Sequence, residues 1–153
     1  SLKDFFENAN NSIKDMKLGR LMMALMGVQI TSDEIIATSA GMPPLIYFRN
    51  KSGKAGEFVI NNLPLGGMKG IKYSLKKIKY EKSHTLLMMS DGFAESKNYK
   101  GEQFGYERVK KEFKSVIQKK SNEIVKHLTD LSSKWIEGKE PEDDITFVVI
   151  KIK

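Results

Sequence analysis

The sequence predicts an α+β domain in which strands form one group and helices lie apart from them. Three observations lead to this class. Apolar residues recur at helical spacing in residues 1–18 and again from Tyr106 onward. Short apolar runs, separated by turns rich in glycine and proline, lie between these two regions. A last apolar run closes the chain after the second helical region, and this order of elements is typical of α+β domains.

Residues 1–18 are expected to form the first helix. Its apolar positions follow the helical period and no proline interrupts them: Phe5, Phe6, Ala9, Ile13 and Met16. The nearly continuous apolar run 21–30 predicts a strand covered on both faces. A turn at residues 31–33 leads to a second strand at 34–39, and the short connection indicates a hairpin.

The middle of the chain alternates between strands and irregular segments. Residues 41–44 contain two prolines and form a rigid corner, after which a strand resumes at 45–48. Residues 50–57 and 61–70 are rich in glycine and are predicted to be loops. A strand with polar edges follows at residues 73–80.

The last third of the chain begins with a buried strand at residues 85–90, which ends at Asp91 and Gly92. Two helical stripes follow at residues 109–117 and 124–136. A loop at 138–142 precedes a closing strand at 145–152. Nothing in this order suggests an internal repeat, so we treat residues 1–153 as a single domain.

The composition excludes several classes of protein. Of the 153 residues, 40% are apolar and 29% are charged, as in an ordinary globular domain. No run reaches the ~18 apolar residues of a membrane-spanning helix. The absence of cysteine excludes disulfides, thiol catalysis and cysteine-ligated metals. The first residues show no secretory pattern, and we expect a cytoplasmic location, although the parent protein could be membrane-anchored.

The net charge of +7 raises nucleic-acid binding as one alternative. The lysines are scattered along the chain, however, and no arginine–aromatic motif of a nucleic-acid module accompanies them. We therefore expect a solvated basic surface and no nucleic-acid partner.

Carboxylates beside two apolar runs are the candidate metal ligands. Asp91 directly follows one predicted strand, and Asp143 and Asp144 directly precede another. Divalent cations such as Mg²⁺ prefer such oxygen ligands. Spacing alone favours the simpler interpretation of a turn and a polar strand start. The two histidines, His84 and His127, lack the spacing of a metal site.

Five motifs in the same order resemble those of SpoIIE-like phosphatases. The chain reads SAGMPPL at 39–45, LPLG at 63–66, LLMMSDGFAE at 86–95, GEQFGYER at 101–108 and DDIT at 143–146. The corresponding family patterns are the AGHPP corner, the PLG loop, the LLLYTDGVTE strand, the G..FG..RL helix start and the DDiT closing motif.

This resemblance implies the PPM class of metal-dependent serine/threonine phosphatases, with a four-layer αββα sandwich fold. Two Mn²⁺ or Mg²⁺ ions are expected in the complete domain, where a metal-activated water attacks phosphoserine or phosphothreonine and no side chain is the nucleophile. Asp91 and Asp143 match metal ligands of the family, and Gly92 and Asp144 match supporting positions.

The chain also departs from the family pattern. Met42 replaces the histidine of the corner motif, and the GDxYD and GDVxGHG motifs do not occur. We therefore expect the C-terminal two-thirds of a phosphatase domain, lacking its N-terminal strands and inactive alone, and forming the output domain of a longer protein. The edge that includes residues 21–28 would then be uncovered, which predicts self-association.

Two functions follow from the resemblance. The first is a bacterial phosphatase that acts on a phosphorylated regulatory protein, such as an anti-sigma-factor antagonist. The second is a degenerate phosphatase-like module that binds a signalling partner without catalysis.

Overall fold

A computed structural model describes residues 1–49, 53–79 and 84–152. The helices and strands in these ranges run in the following order along the chain: α1 (Leu2–Asp15), β1 (Leu25–Ile30), β2 (Glu34–Ala40), β3 (Leu45–Arg49), β4 (Lys54–Phe58), β5 (Lys76–Lys79), β6 (His84–Met89), α2 (Gly92–Glu95), α3 (Tyr106–Ser115), α4 (Ser121–Trp135) and β7 (Phe147–Lys151). The α+β class is confirmed. No helix in these ranges is both long and apolar enough to cross a membrane.

The chain forms two compact units. The first comprises Ser1–Pro44 and Phe58–Glu81, and the second comprises Leu45–Glu57 and Lys82–Lys153. The first contains α1 and a three-stranded sheet in the order β1-β2-β5. The second contains α2, α3 and α4 and a four-stranded sheet in the order β4-β3-β6-β7. The strand pairs β1–β2, β2–β5, β3–β6 and β6–β7 are all antiparallel.

In the first unit, α1 packs on the β1–β2 hairpin. A capping box between Ser1 and Asp4 begins the helix. Phe6 is fully buried in a cluster with Ala40, Leu65 and Tyr73. The helix lies so close to β1 that a Cβ atom on Gly27 would be 2.6 Å from the Phe6 ring. Glycine at this position therefore allows the close approach of helix and strand.

Asn10 joins α1 to the loop at residues 63–70. Its side chain is fully buried, and its Oδ1 accepts hydrogen bonds from Gly66 N–H (2.9 Å) and the Tyr73 hydroxyl (3.3 Å). Its Nδ2 donates to the Met68 carbonyl at 2.9 Å. One side chain thus forms hydrogen bonds with polar groups of Gly66, Met68 and Tyr73. Such groups would be costly to bury without a partner.

The core of the second unit is aromatic. Phe93 stacks on Phe104 with ring centroids 4.3 Å apart, and Phe104 meets Trp135 edge to face at 5.2 Å. Apolar residues of α3 and α4 complete this core: Val109, Phe113, Ile124 and Leu128. The helical stripes found in the sequence are therefore the buried faces of α3 and α4.

The prediction that residues 21–30 are covered on both faces is wrong. The strand begins only at Leu25, and the side chains of Leu21, Met22 and Met23 are 71%, 56% and 45% exposed. Among the described residues β1 pairs with β2 alone, as an outer strand of its sheet. The side chains of an apolar run are buried only where a neighbouring element packs against them.

The predicted loop at residues 50–57 is also wrong in its second half, because β4 begins at Lys54. Gly56 misled the prediction, since glycine usually weakens a strand. Here the Tyr47 ring occupies the space above it, and a Cβ atom on Gly56 would be 2.4 Å from Tyr47 Cζ. The predicted strand at 73–80 is shorter, since β5 starts at Lys76. Residues 50–52 and Tyr80 lie outside the described residues.

The Asn10 contacts predict the effect of one substitution on stability. Asn10→Ala leaves the buried Gly66 N–H and Tyr73 hydroxyl without this acceptor, so we expect a loss of about 1–3 kcal/mol in the free energy of unfolding. Urea denaturation followed by circular dichroism measures it. Asn11→Ala is the matched control, because Asn11 bonds Gly70 N–H at an exposed position. Equal losses in the two variants would contradict the assigned role of Asn10.

Candidate metal-binding site

The candidate site lies where β6 ends and the segment before β7 begins. The two strands are antiparallel neighbours, with Met89 opposite Phe147. Asp91 follows β6 by two residues, and Asp143 precedes β7 by four. The pairing of the strands therefore brings together two acidic segments that are far apart in the sequence.

Ser90 fastens these segments to each other. Its hydroxyl donates a hydrogen bond to the Asp144 carbonyl at 2.7 Å and accepts one from Thr146 N–H at 2.9 Å. Its own N–H donates to the Thr146 carbonyl at 3.2 Å. The sequence analysis did not single out Ser90. The available signal was a small polar residue placed between a buried strand and an acidic turn.

Gly92 has a steric reason to be glycine. A Cβ atom at this position would lie 2.5 Å from the Asp144 carbonyl oxygen and 3.0 Å from that of Asp143. These are backbone atoms, which cannot rotate away as a side chain can. Gly92 therefore allows the first turn of α2 to touch the acidic segment.

The carboxylates of Asp91 and Asp143 are exposed. Asp91 occupies the N-cap position of α2, but its side chain makes no capping hydrogen bond. Asp143 Oδ1 accepts a hydrogen bond from Asp144 N–H at 2.8 Å. Neither carboxylate forms an ion pair with a described residue. Both groups are therefore accessible to a cation from solution.

A cavity of about 210 Å³ lies beside Asp143, and its lining includes Gly92, Glu95, Lys97, Gln103 and Glu142. Lys97 Nζ lies 3.5 Å from Glu142 Oε2, in an exposed ion pair. Such an exposed pair adds little stability. It does place the Lys97 ammonium group beside the acidic side chains that line the cavity.

The pKa of the Tyr106 hydroxyl is raised by burial and by carboxylates of this region. Burial raises the pKa of its hydroxyl, and the negative charges of Glu95 and Asp91 raise it further. Both effects disfavour ionisation of the phenol.

Arg108 organises the loop before α3. Its guanidinium donates to the carbonyl groups of Gln103 (2.9 Å) and Phe104 (3.1 Å), and it lies over the Trp135 ring. It also pairs with Glu102, whose pKa it lowers through this hydrogen bond. These contacts connect residues 102–104 to Trp135 on α4.

The other residues considered in the sequence lie elsewhere. His84 begins β6, at the opposite end of that strand from Asp91. His127 is on α4, with its Nε2 3.2 Å from Glu112 Oε2. Met42 belongs to the first unit, where its N–H donates to the Ser39 hydroxyl and helps to close the proline corner.

The carboxylates suit a hard divalent cation, yet they form only part of a coordination shell. Carboxylate oxygens are the preferred ligands of Mg²⁺, which takes six ligands in total. Within residues 1–49, 53–79 and 84–152, no group of three or more histidine, aspartate or glutamate side chains is arranged to hold a metal. Asp91 and Asp143 are therefore candidates for two ligands of a larger set.

Several solved structures share the fold of this chain. The chain is similar to the phosphatase domain of SpoIIE from Bacillus subtilis, with a TM-score of 0.70 and 22% identity over 99% of this chain and 66% of that one. It is similar to the catalytic domain of the serine/threonine protein phosphatase PstP in complex with two manganese ions, with a TM-score of 0.73 and 14% identity over 99% and 69%. The fold is thus that of the PPM, or PP2C, phosphatases.

The family follows from the sequence itself. The family model described as Stage II sporulation protein E matches residues 1–153, and the chain therefore belongs to the SpoIIE family. The RsbU and RsbW domains of Rv1364c from Mycobacterium tuberculosis are also similar, with a TM-score of 0.75 and 16% identity over 100% of this chain and 42% of that one. A search of curated proteins gives no match.

The chain spans only part of the structures that it resembles. It covers 47% of the SiaA-PP2C domain of Pseudomonas aeruginosa and 66% of the SpoIIE phosphatase domain. The activity, substrates and partners of a complete protein are therefore matters for proposal.

The tight contact at Gly92 predicts the effect of a second substitution. In Gly92→Ala the new methyl group would meet backbone carbonyl oxygens of the acidic segment, so we expect a loss of about 1–3 kcal/mol in stability despite the better helix propensity of alanine. Thermal unfolding measures it. Gly56→Ala is the control, because the Tyr47 side chain above it can move aside. A Gly92→Ala variant as stable as the native chain would show that the contact is loose.

Proposed function

We propose that this chain contributes the Asp91–Asp143 part of the metal site in a PPM-type phosphatase. The reaction is hydrolysis of phosphoserine or phosphothreonine on a regulatory protein. The observation that carries the proposal is the Ser90 hydrogen-bond pair, which links the two acidic segments within a fold shared with this class of phosphatases. Membership of the SpoIIE family supports the same reaction type.

The residues of the site have distinct roles in this proposal. Asp91 and Asp143 would hold Mn²⁺ or Mg²⁺ through carboxylate oxygens. When bound, such ions supply a reactive water at neutral pH and offset the charge of the transferring phosphoryl group. Ser90 and Gly92 keep the two segments at a constant separation, and Asp144 contributes its backbone carbonyl to this link.

One cation beside the site supports a substrate class, although it pairs with Glu142 in a lining that is otherwise acidic. Lys97 lines the cavity next to Asp143, where its ammonium group suits an anionic phosphorylated side chain. We propose a phosphorylated regulatory protein, such as an anti-sigma-factor antagonist, as the partner. The family membership and this cation support the assignment.

A second candidate function is a binding module without catalysis. It is favoured by the lack of a three-ligand group among the described residues. Under this alternative the chain recognises a phosphorylated partner but does not hydrolyse the ester. Hydrolysis of para-nitrophenyl phosphate by the full-length protein, measured with and without Mn²⁺, separates the two functions.

Substitution of Asp91 tests the proposed site in the full-length protein that carries this sequence. Asp91→Asn removes one ligand charge, so we expect Mn²⁺-dependent hydrolysis to be lost. The side chain is exposed, and stability should change by no more than about 0.5 kcal/mol. Asp130→Asn on α4 is the control, because this carboxylate pairs only with the surface residue Lys126. Full activity in Asp91→Asn would exclude Asp91 as a ligand.

Metal titration of the 153-residue chain tests how much of the site it provides. Two carboxylates form an incomplete shell, so we expect weak Mn²⁺ binding and no phosphatase turnover. Isothermal titration calorimetry measures the binding, and the double variant Asp91→Asn/Asp143→Asn should abolish it. Tight binding of two ions, or robust turnover by this chain, would show that its ligand set is complete.

A further inference from the structure

The helix that carries Asp91 is too short to fix its own orientation. Helix α2 spans only Gly92–Glu95, and Asp91 occupies its N-cap position. Isolated helices shorter than about 12–15 residues are marginal in water, so a single turn must be held by its surroundings. The position of the Asp91 backbone relative to Asp143 therefore depends on the groups that contact α2.

The residue that follows α2 accepts a hydrogen bond from a helix far away in the sequence. The Ser96 carbonyl accepts from Phe104 N–H at 2.9 Å and from the indole N–H of Trp135 at 3.1 Å. The Ser96 hydroxyl donates to the carbonyl of Phe93, inside α2, at 2.7 Å. Trp135 is the last residue of α4 and lies 39 residues from Ser96 along the chain. Its indole thus links the end of α2 to α4.

A column of aromatic rings extends from Trp135 to both acidic segments. The Trp135 ring meets Phe104 edge to face at 5.2 Å, and Phe104 stacks on Phe93 with centroids 4.3 Å apart. Phe93 is fully buried in α2 and meets Phe147 edge to face at 5.3 Å. Phe147 is the first residue of β7, which follows the acidic segment 142–144. Because such pairs prefer defined ring orientations, a shift of the indole would displace α2 and the start of β7.

The indole is itself held by Arg108. The guanidinium carbon lies over the Trp135 ring, 4.9 Å from its centroid. Arg108 also donates to the carbonyl of Phe104, the aromatic neighbour of Trp135, at 3.1 Å. A cation over the ring and an aromatic ring beside it thus keep the indole in the orientation that directs its N–H to Ser96.

We infer that Trp135 is a positioning residue for the proposed metal site. Through the Ser96 carbonyl and the ring column it holds α2, and with it Asp91, in a constant place relative to Asp143. An indole N–H is a donor only, so Trp135 acts through α2 and not as a ligand. The inference rests on the proposed function, because it takes Asp91 and Asp143 as ligands.

Positioning and cation binding are linked reciprocally. If the indole hydrogen bond favours the arrangement that binds a cation, then a bound cation favours the indole hydrogen bond by the same factor. Trp135 is the only tryptophan of the chain, so its fluorescence reports this contact without an added label.

Fluorescence titration of the 153-residue chain is the first test. We expect the emission of Trp135 to change with Mg²⁺ at the concentrations at which calorimetry detects binding. Mg²⁺ is the probe because it is diamagnetic and does not itself quench the indole. In the double variant Asp91→Asn/Asp143→Asn the same additions should leave the emission unchanged.

Calorimetric titration of the full-length protein that carries this sequence measures the effect on affinity. Trp135→Phe removes the indole N–H and keeps an aromatic ring, so we expect Mn²⁺ to bind about tenfold more weakly, as for other groups that orient metal ligands. Phe113→Leu is the matched control, because Phe113 is buried in the same core but lies on α3, outside the hydrogen bonds and ring contacts described above. This variant should lose stability and keep the native affinity.

Hydrogen exchange of the metal-free 153-residue chain gives a measurement that needs no cation. The amides of Glu95 and Ser96 donate to the carbonyls of Asp91 and Phe93, within the turn of α2. In Trp135→Phe these two amides should exchange faster, by a larger factor than the amides of β6. In the control variant the increase should be no larger for α2 than for β6.

Three results would overturn the inference. The first is native Mn²⁺ affinity in Trp135→Phe together with weakened binding in Asp91→Asn, or an indole emission that bound Mg²⁺ leaves unchanged; either result leaves the proposed function intact. The second is an equal loss of affinity, or an equal rise in the exchange of the α2 amides, in Trp135→Phe and Phe113→Leu, which would reduce Trp135 to a general role in the core. The third is native binding in Asp91→Asn, which would remove the proposed function and this inference together.

Discussion

The hydroxyl of Ser90 is the group on which the candidate site depends. It bonds the carbonyl of Asp144 and the N–H of Thr146, which are 54 and 56 residues away in the sequence. The antiparallel pairing of β6 with β7 brings the two acidic segments together, and this hydroxyl adds a side-chain link between them beyond the last paired residues. Hydrogen bonds within the folded chain therefore fix both acidic segments to one scaffold. The absence of a side chain at Gly92 permits the same close approach.

Polar side chains fasten loops in both units. In the first unit Asn10 bonds groups from three positions near residues 63–70, while in the second Ser90 joins the ends of two strands. Hydrophobic burial supplies most of the stability of such cores but has little directional preference. Hydrogen bonds depend on the direction of donor and acceptor, so these bonds to backbone groups specify the conformation of the loop segments that they join.

Two features of the described residues have no complement among those residues. The carboxylates of Asp91 and Asp143 are exposed and form no ion pair with a described residue, and β1 presents a sheet edge without charge. Both features are polar groups that can still bind a partner: the carboxylates can bind a cation, and the backbone N–H and carbonyl groups of an outer strand can accept or donate hydrogen bonds.

The sequence was sufficient to predict the α+β class, the β1–β2 hairpin, both long helices and the position of the two acidic segments, because periodicity and turn residues are local signals. The sequence led to errors where the burial of a residue or the formation of a strand depended on contacts with another element. Leu21 lies before the first residue of β1 and is exposed, and β4 includes Gly56, over which the Tyr47 ring lies. The role of Ser90 was equally hidden, since its partners are contributed by a segment more than fifty residues away. Local patterns determine which elements form, whereas burial, close approach and long-range hydrogen bonds are properties of pairs of elements, which only the tertiary structure brings together.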